Sequence, residues 1–151
     1  MKRRLFLASS GALTTLTALP SFAIAPAKEV HIFKSKDCGC CKAWIEHMRS
    51  AGFKVQVTDV DDTAAARKRL GMPDRFGSCH TATVDGYAIE GHVPAAEVKR
   101  LLAMGTKAIG LSVPGMAPGS PGMEVGARRD PYQVLLIDLS GRSSVFASYP
   151  K

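Results

Sequence analysis

Three of the chain's four cysteines fall within four residues, Cys38-Gly39-Cys40-Cys41, and the fourth is Cys79. The cluster follows a strand-like run, Val30-His31-Ile32-Phe33, and leads into a helix-like run, Lys42 to Met48. Thiols at a strand-to-helix turn feel the partial positive charge of the helix start, which lowers their pKa. They then serve as nucleophiles or as metal ligands. Cys38 and Cys41 have the Cys-x-x-Cys spacing of a redox couple, while Cys40 adds a thiol that competes for the same bond. A set of purely structural disulfides fits this spacing poorly. A bridge inside the cluster closes almost no loop, and one between the adjacent Cys40 and Cys41 is strained.

The elements that must hold these thiols read in order. Val30 to Lys34 is a strand, and Cys41 to Ala51 is a helix with Trp44, Ile45 and Met48 on one face and Gly52 as its stop. Phe53 to Val60 alternates as a second strand. Asp61-Asp62-Thr63 caps a second helix that runs through Leu70. Cys79 to Val84 is a third strand, and Asp85-Gly86 turns it into Tyr87 to Gly91. Pro94 to Met104 is a third helix ending at Gly105. Residues 109–125 hold three prolines, four glycines and two methionines and show no helix or strand pattern. A loop of that length in a compact domain is functional or disordered. Val134 to Leu139 and Ser144 to Ala147 form a terminal hairpin that extends or flanks the sheet.

The order β-α-β-α-β-β-α, with Cys-x-x-Cys after the first strand, predicts an α/β domain of thioredoxin-like fold, a long Pro/Gly/Met loop and a C-terminal hairpin. In that fold the loop entering the third strand packs on the active-site turn. Redox members usually carry a proline there; this chain has Ser78-Cys79-His80, and its nearest proline is Pro73. A fourth thiol thus stands where a peptide-binding redox groove is normally shaped.

Four thiols from two loops make a site of soft ligands, suited to Cu(I), Zn(II) or an iron–sulfur cluster. Three thiolates within four residues spread poorly around one tetrahedral ion but can bridge several Cu(I) ions. Met116 and Met123 lie in the Pro/Gly loop; their thioethers favour Cu(I) if they are not simply docking the loop. His80 follows Cys79, so alternation sends the two to opposite faces unless the strand begins later. His47 reads as solvent-facing, and His31 and His92 as structural.

The ends bound the setting. Lys2-Arg3-Arg4, an uncharged apolar run from Leu5 to Leu19 and small residues near 21–25 form a secretory signal peptide, of general or twin-arginine type. Residues 1–25 are therefore expected to be removed, leaving 26–151 as one domain with no membrane span. Three of the 20 basic residues and none of the 13 acidic ones precede residue 26, so the remainder carries +4. No basic block interleaves with aromatics, so nucleic-acid binding has no support.

Several stretches together resemble the CopG-like family of small exported bacterial proteins associated with copper resistance. They are Phe33 to Cys41 with Trp44, Gly77-Ser78-Cys79-His80-Thr81, Gly91-His92-Val93-Pro94-Ala95, Gly110-Leu111, Val113 to Met116 and Gly119 to Glu124. The resemblance implies a thioredoxin-like fold and a multinuclear Cu(I) cluster on Cys38, Cys40, Cys41 and Cys79, with Met123 and Met116 as neighbours. It also implies copper handling in the periplasm beside other copper-handling proteins, with room for a Cu(I)/Cu(II) redox step. The runner-up is a thiol–disulfide or copper oxidoreductase using Cys38 and Cys41; a zinc-stabilised structural module is a third reading.

Overall fold

The computed structural model describes residues 26–124 and 126–150. The expected signal peptide lies outside the described residues. Among them no helix is long and apolar enough to cross a membrane.

The chain runs β1 (Glu29–Lys34), α1 (Gly39–Ser50), β2 (Lys54–Asp59), α2 (Thr63–Arg69), a 3-10 turn (Asp74–Phe76), β3 (His80–Val84), β4 (Tyr87–Glu90), α3 (Ala95–Met104), β5 (Gly110–Ser112), β6 (Tyr132–Ile137) and β7 (Ser143–Tyr149). One seven-stranded sheet has the order β2-β1-β3-β4-β5-β6-β7. β1 pairs parallel to β2 and antiparallel to β3, and β3 pairs antiparallel to β4. A β-α-β unit joined to a reversed third strand is compatible with the thioredoxin-like plan.

Alternation sorts the apolar residues onto two faces of this sheet. Ile89 packs with Val30, Ile32, Trp44, Ile45, Met48, Val98 and Leu101. Its neighbour Ala88 packs with Met72, Phe76 and Ile137. α1 and α3 thus cover one face, with the α2–β3 segment on the other. Local chemistry sets the boundaries. The Asp62 carboxylate accepts from the amides of Ala64 and Ala65, which caps α2. Asp85 and Gly86 both have positive φ, 47° and 83°, as the tight β3–β4 turn requires. Gly105, at φ 59°, ends α3.

Two expectations change. α1 begins at Gly39, not Cys41, so Cys38 is its N-cap and Cys40 and Cys41 sit in its first turn. The loop read as structureless over 109–125 opens with a strand, β5, which pairs parallel to β4 and antiparallel to β6. Three residues are too few for an alternation signal, and tertiary pairing makes this strand. Gly110 permits it: a Cβ there would lie 1.7 Å from the Ala88 carbonyl oxygen. Through β5 the terminal hairpin joins the main sheet.

Candidate metal centre

Two pieces of this scaffold position the thiols, the start of α1 and the loop ahead of β3. Cys38 occupies the N-cap position of α1, Cys40 and Cys41 ride its first turn, and Cys79 lies just ahead of β3. The four Sγ atoms all lie within 4.8 Å of one another. Cys38 and Cys41 are joined by a disulfide, whereas Cys40 and Cys79 are free. Cys40 Sγ is 3.6 Å from Cys38 Sγ and 3.8 Å from Cys79 Sγ, and Cys41 Sγ is also 3.8 Å from Cys79 Sγ. In this thiol state two sulfurs of the four are available as thiolates.

The Cys79 loop is fixed from beneath. Glu90 Oε1 accepts the Ser78 amide at 2.6 Å and Arg67 Nε at 2.9 Å. Arg67 also donates to the Ser78 carbonyl at 3.0 Å. Both charged residues are buried. Burial raises the Glu90 pKa, against the pull of the Ser78 amide and the Arg67 guanidinium. Ser78 Oγ donates to the Gly115 carbonyl, and the Gly115 amide to the Gly77 carbonyl, so the 109–125 loop is tied to the Cys79 loop. Burial first, and then the neighbouring Cys40, push the Cys79 thiol up to about 12. It is protonated at neutral pH, so a metal that binds there must displace that proton.

Two histidines complete the cluster. Because β3 starts at His80, Cys79 precedes the strand and escapes strict alternation. Cys79 Sγ lies 3.3 Å from His80 Nδ1 and 3.1 Å from His92 Nε2. His92 Nδ1 is 2.7 Å from the Pro121 carbonyl oxygen, an acceptor only, so Nδ1 carries the proton and Nε2 presents its lone pair to Cys79. Burial, and then His92 beside it, hold the His80 pKa down to about 3, against the Gly91 backbone. Its ring lies 4.5 Å from that of Trp44, centroid to centroid. Trp44 Nε1 donates to the Val93 carbonyl at 2.8 Å.

Sequence position suggests a structural role for His92, and the structure instead places it against Cys79. Gly91 explains the approach, since a Cβ there would meet Ser78 Oγ and the Val113 carbonyl at 2.6 Å. The stretch Gly91-His92-Val93-Pro94, a glycine needing close approach beside a ring nitrogen donor, was the available signal. His47 is half-buried instead of solvent-facing; its Nε2 accepts the Ala95 amide at the start of α3 at 2.9 Å. The Pro/Gly/Met loop packs over the turn: a Cβ on Gly122 would lie 2.8 Å from the Trp44 amide nitrogen. Met123 is partly buried in this loop, its amide donating to the Ser120 carbonyl, while Met116 is 58% exposed.

The arrangement has relatives. Two solved structures of the copper resistance protein CopG, form 2 and form 1, superpose with TM-scores of 0.79 and 0.78, each at 46% sequence identity. The alignment covers 82% of this chain and 99% of form 2, and 84% and 100% for form 1. The chain belongs to the CopG family. A family model described as a protein of unknown function, DUF411, matches residues 76–123, which span Cys79, His92 and the methionine loop. No curated protein sequence matches the chain.

Proposed function

We propose that this is an exported, periplasmic Cu(I)-binding protein of copper resistance, with copper as its cargo. The observation that carries the reading is the convergence of four sulfur atoms within 4.8 Å in a partly closed pocket. Soft thiolates at that spacing suit Cu(I), and a shared thiolate bridges two ions, so several ions per chain are expected. Cys38, Cys40, Cys41 and Cys79 supply the thiolates. Met123 and Met116 add thioethers from the covering loop. Holding Cu(I) there keeps it from oxygen chemistry.

Full capacity requires the Cys38–Cys41 bond to be reduced: two electrons and two protons from a dithiol donor open it to two thiols. That bond also favours the second reading, a thiol–disulfide or copper oxidoreductase with Cys38 and Cys41 as its couple. The two readings separate in one experiment. Reduced protein titrated anaerobically with Cu(I) is expected to bind several ions per chain, with a lower count in Cys40→Ser. At most one ion, and no change on that substitution, sinks the cluster reading; catalytic disulfide reduction by metal-free protein supports the redox one.

A further inference from the structure

Cys79 belongs to two donor sets at once. One is the four-sulfur set. The other is Cys79 Sγ, His80 Nδ1 and His92 Nε2, whose ligand atoms also lie within 4.8 Å of one another. We propose that Cys79, His80 and His92 form a second metal position, for a divalent cation of borderline softness such as Cu(II) or Zn(II), sharing the Cys79 sulfur with the Cu(I) set. The proposal does not depend on the Cu(I) reading, because it uses only one of that reading's thiols.

Three observations support it. First, the donors are of the right kind: two imidazoles and one thiolate suit copper or zinc, where four sulfurs suit Cu(I). Second, the set is pre-formed. Bonds of about 2.0–2.1 Å to nitrogen and about 2.3 Å to sulfur separate those donors by about 3.5–3.8 Å at tetrahedral to trigonal angles. The sulfur–nitrogen separations here are 3.1 and 3.3 Å, so an opening of about half an ångström admits an ion. Third, His92 has the outer support of a metal ligand, its other ring nitrogen donating to a backbone carbonyl, here Pro121. His80 is fully buried, and its Nε2 makes no hydrogen bond of acceptable geometry. The Gly91 backbone is a further polar neighbour of this buried ring, whose Nδ1 faces the Cys79 sulfur at 3.3 Å, as a ligand nitrogen would.

The disulfide sharpens the distinction. With Cys38 bonded to Cys41 the four-sulfur set is incomplete, yet the Cys79–His80–His92 set is whole. The second position therefore exists in both thiol states of the turn.

The test uses the oxidised, disulfide-bonded protein with Co(II) as a spectroscopic probe. One Co(II) per chain is expected, with sulfur-to-metal charge-transfer absorption. X-ray absorption of the unmutated complex should show imidazole scattering. His92→Gln retains a donor for Pro121 while removing the ligand, and should weaken Co(II) binding by about 100-fold. A Cys38→Ser/Cys40→Ser/Cys41→Ser variant, which has no four-sulfur set, should still bind Co(II). No Co(II) binding by oxidised protein, or a shell without imidazole nitrogen in the unmutated complex, overturns the proposal whether or not the variants fold. Those outcomes leave the Cu(I) titration of reduced protein untouched, so the two readings fail separately.

Discussion

Arg67→Ala removes at one stroke the cation beside buried Glu90 and the donor to the Ser78 carbonyl. The size of the effect follows from what Glu90 can then do. A buried carboxylate without its partner either stays charged at high cost or takes up a proton. Protonating an ordinary glutamate of pKa about 4.3 at pH 7 costs about 1.36 kcal/mol for each of about 2.7 units, or about 3.7 kcal/mol, which caps the electrostatic penalty. The lost hydrogen bond to the Ser78 carbonyl adds about 1 kcal/mol. Glu90 already sits above its usual pKa with Arg67 beside it and bears part of that cost, so the total is at most about 4–5 kcal/mol at pH 7, within the usual range for breaking a buried ion pair. At pH 5 the cap falls to about 1 kcal/mol, so the penalty should shrink to about 2 kcal/mol. Urea denaturation at both pH values, followed by the fluorescence of Trp44, the chain's one tryptophan, measures this directly. Adding Glu90→Gln to Arg67→Ala should recover part of the loss at pH 7 and little at pH 5. A penalty below about 1 kcal/mol at pH 7, or one that does not change with pH, refutes the reasoning.

Three further outcomes are expected. His47 accepts a backbone amide through Nε2 and must be neutral to do so; burial lowers its folded pKa below the unfolded value, while Glu124 pulls the other way. Its contribution is therefore fully present above about pH 6.5 and lost as pH falls through the depressed folded value. Burial also lowers His80 and His92, so His47→Gln should flatten only part of the stability loss measured by denaturation between pH 7 and 5. Gly122→Ala places a side chain at φ 83° and 2.8 Å from the Trp44 amide nitrogen. It should lift the loop, withdraw the Pro121 carbonyl from His92 and speed Cys79 alkylation severalfold by exposing the thiol, as read by mass spectrometry. Finally, denatured oxidised protein should take up alkylating label on two cysteines, Cys40 and Cys79, and reduced protein on four.

The main elements were legible because apolar spacing and stop signals agree over them: Trp44, Ile45 and Met48 with Gly52, or Val98 and Leu101 with Gly105. Caps such as Asp62 and the Asp85-Gly86 turn act within a few residues, and sequence shows such effects directly. β5 was not legible, because its strand character comes from β4 and β6 on either side and from the absence of a side chain at Gly110. The thiol convergence could be anticipated, since a turn and the loop ahead of the third strand meet in this topology. His92 could not. Its role rests on a carbonyl at Pro121 that is distant in sequence, and on Gly91 allowing its backbone close to Ser78. His47 likewise acquires its role only when α3 starts beside α1.

The covering loop has its two feet on neighbouring strands. It leaves the sheet after Ser112 and returns at Tyr132, and Ser112 pairs with Leu135 across β5 and β6. The ends of the segment are therefore held close together whatever lies between them. For a loop closed in this way, doubling the length adds only about 0.6 kcal/mol of closure entropy. Residues between the feet, with their thioethers and carbonyls, form a cassette whose length and donor content can drift while the sheet stays unaltered. Metal preference in such a protein is accordingly open to retuning by substitutions within this segment alone.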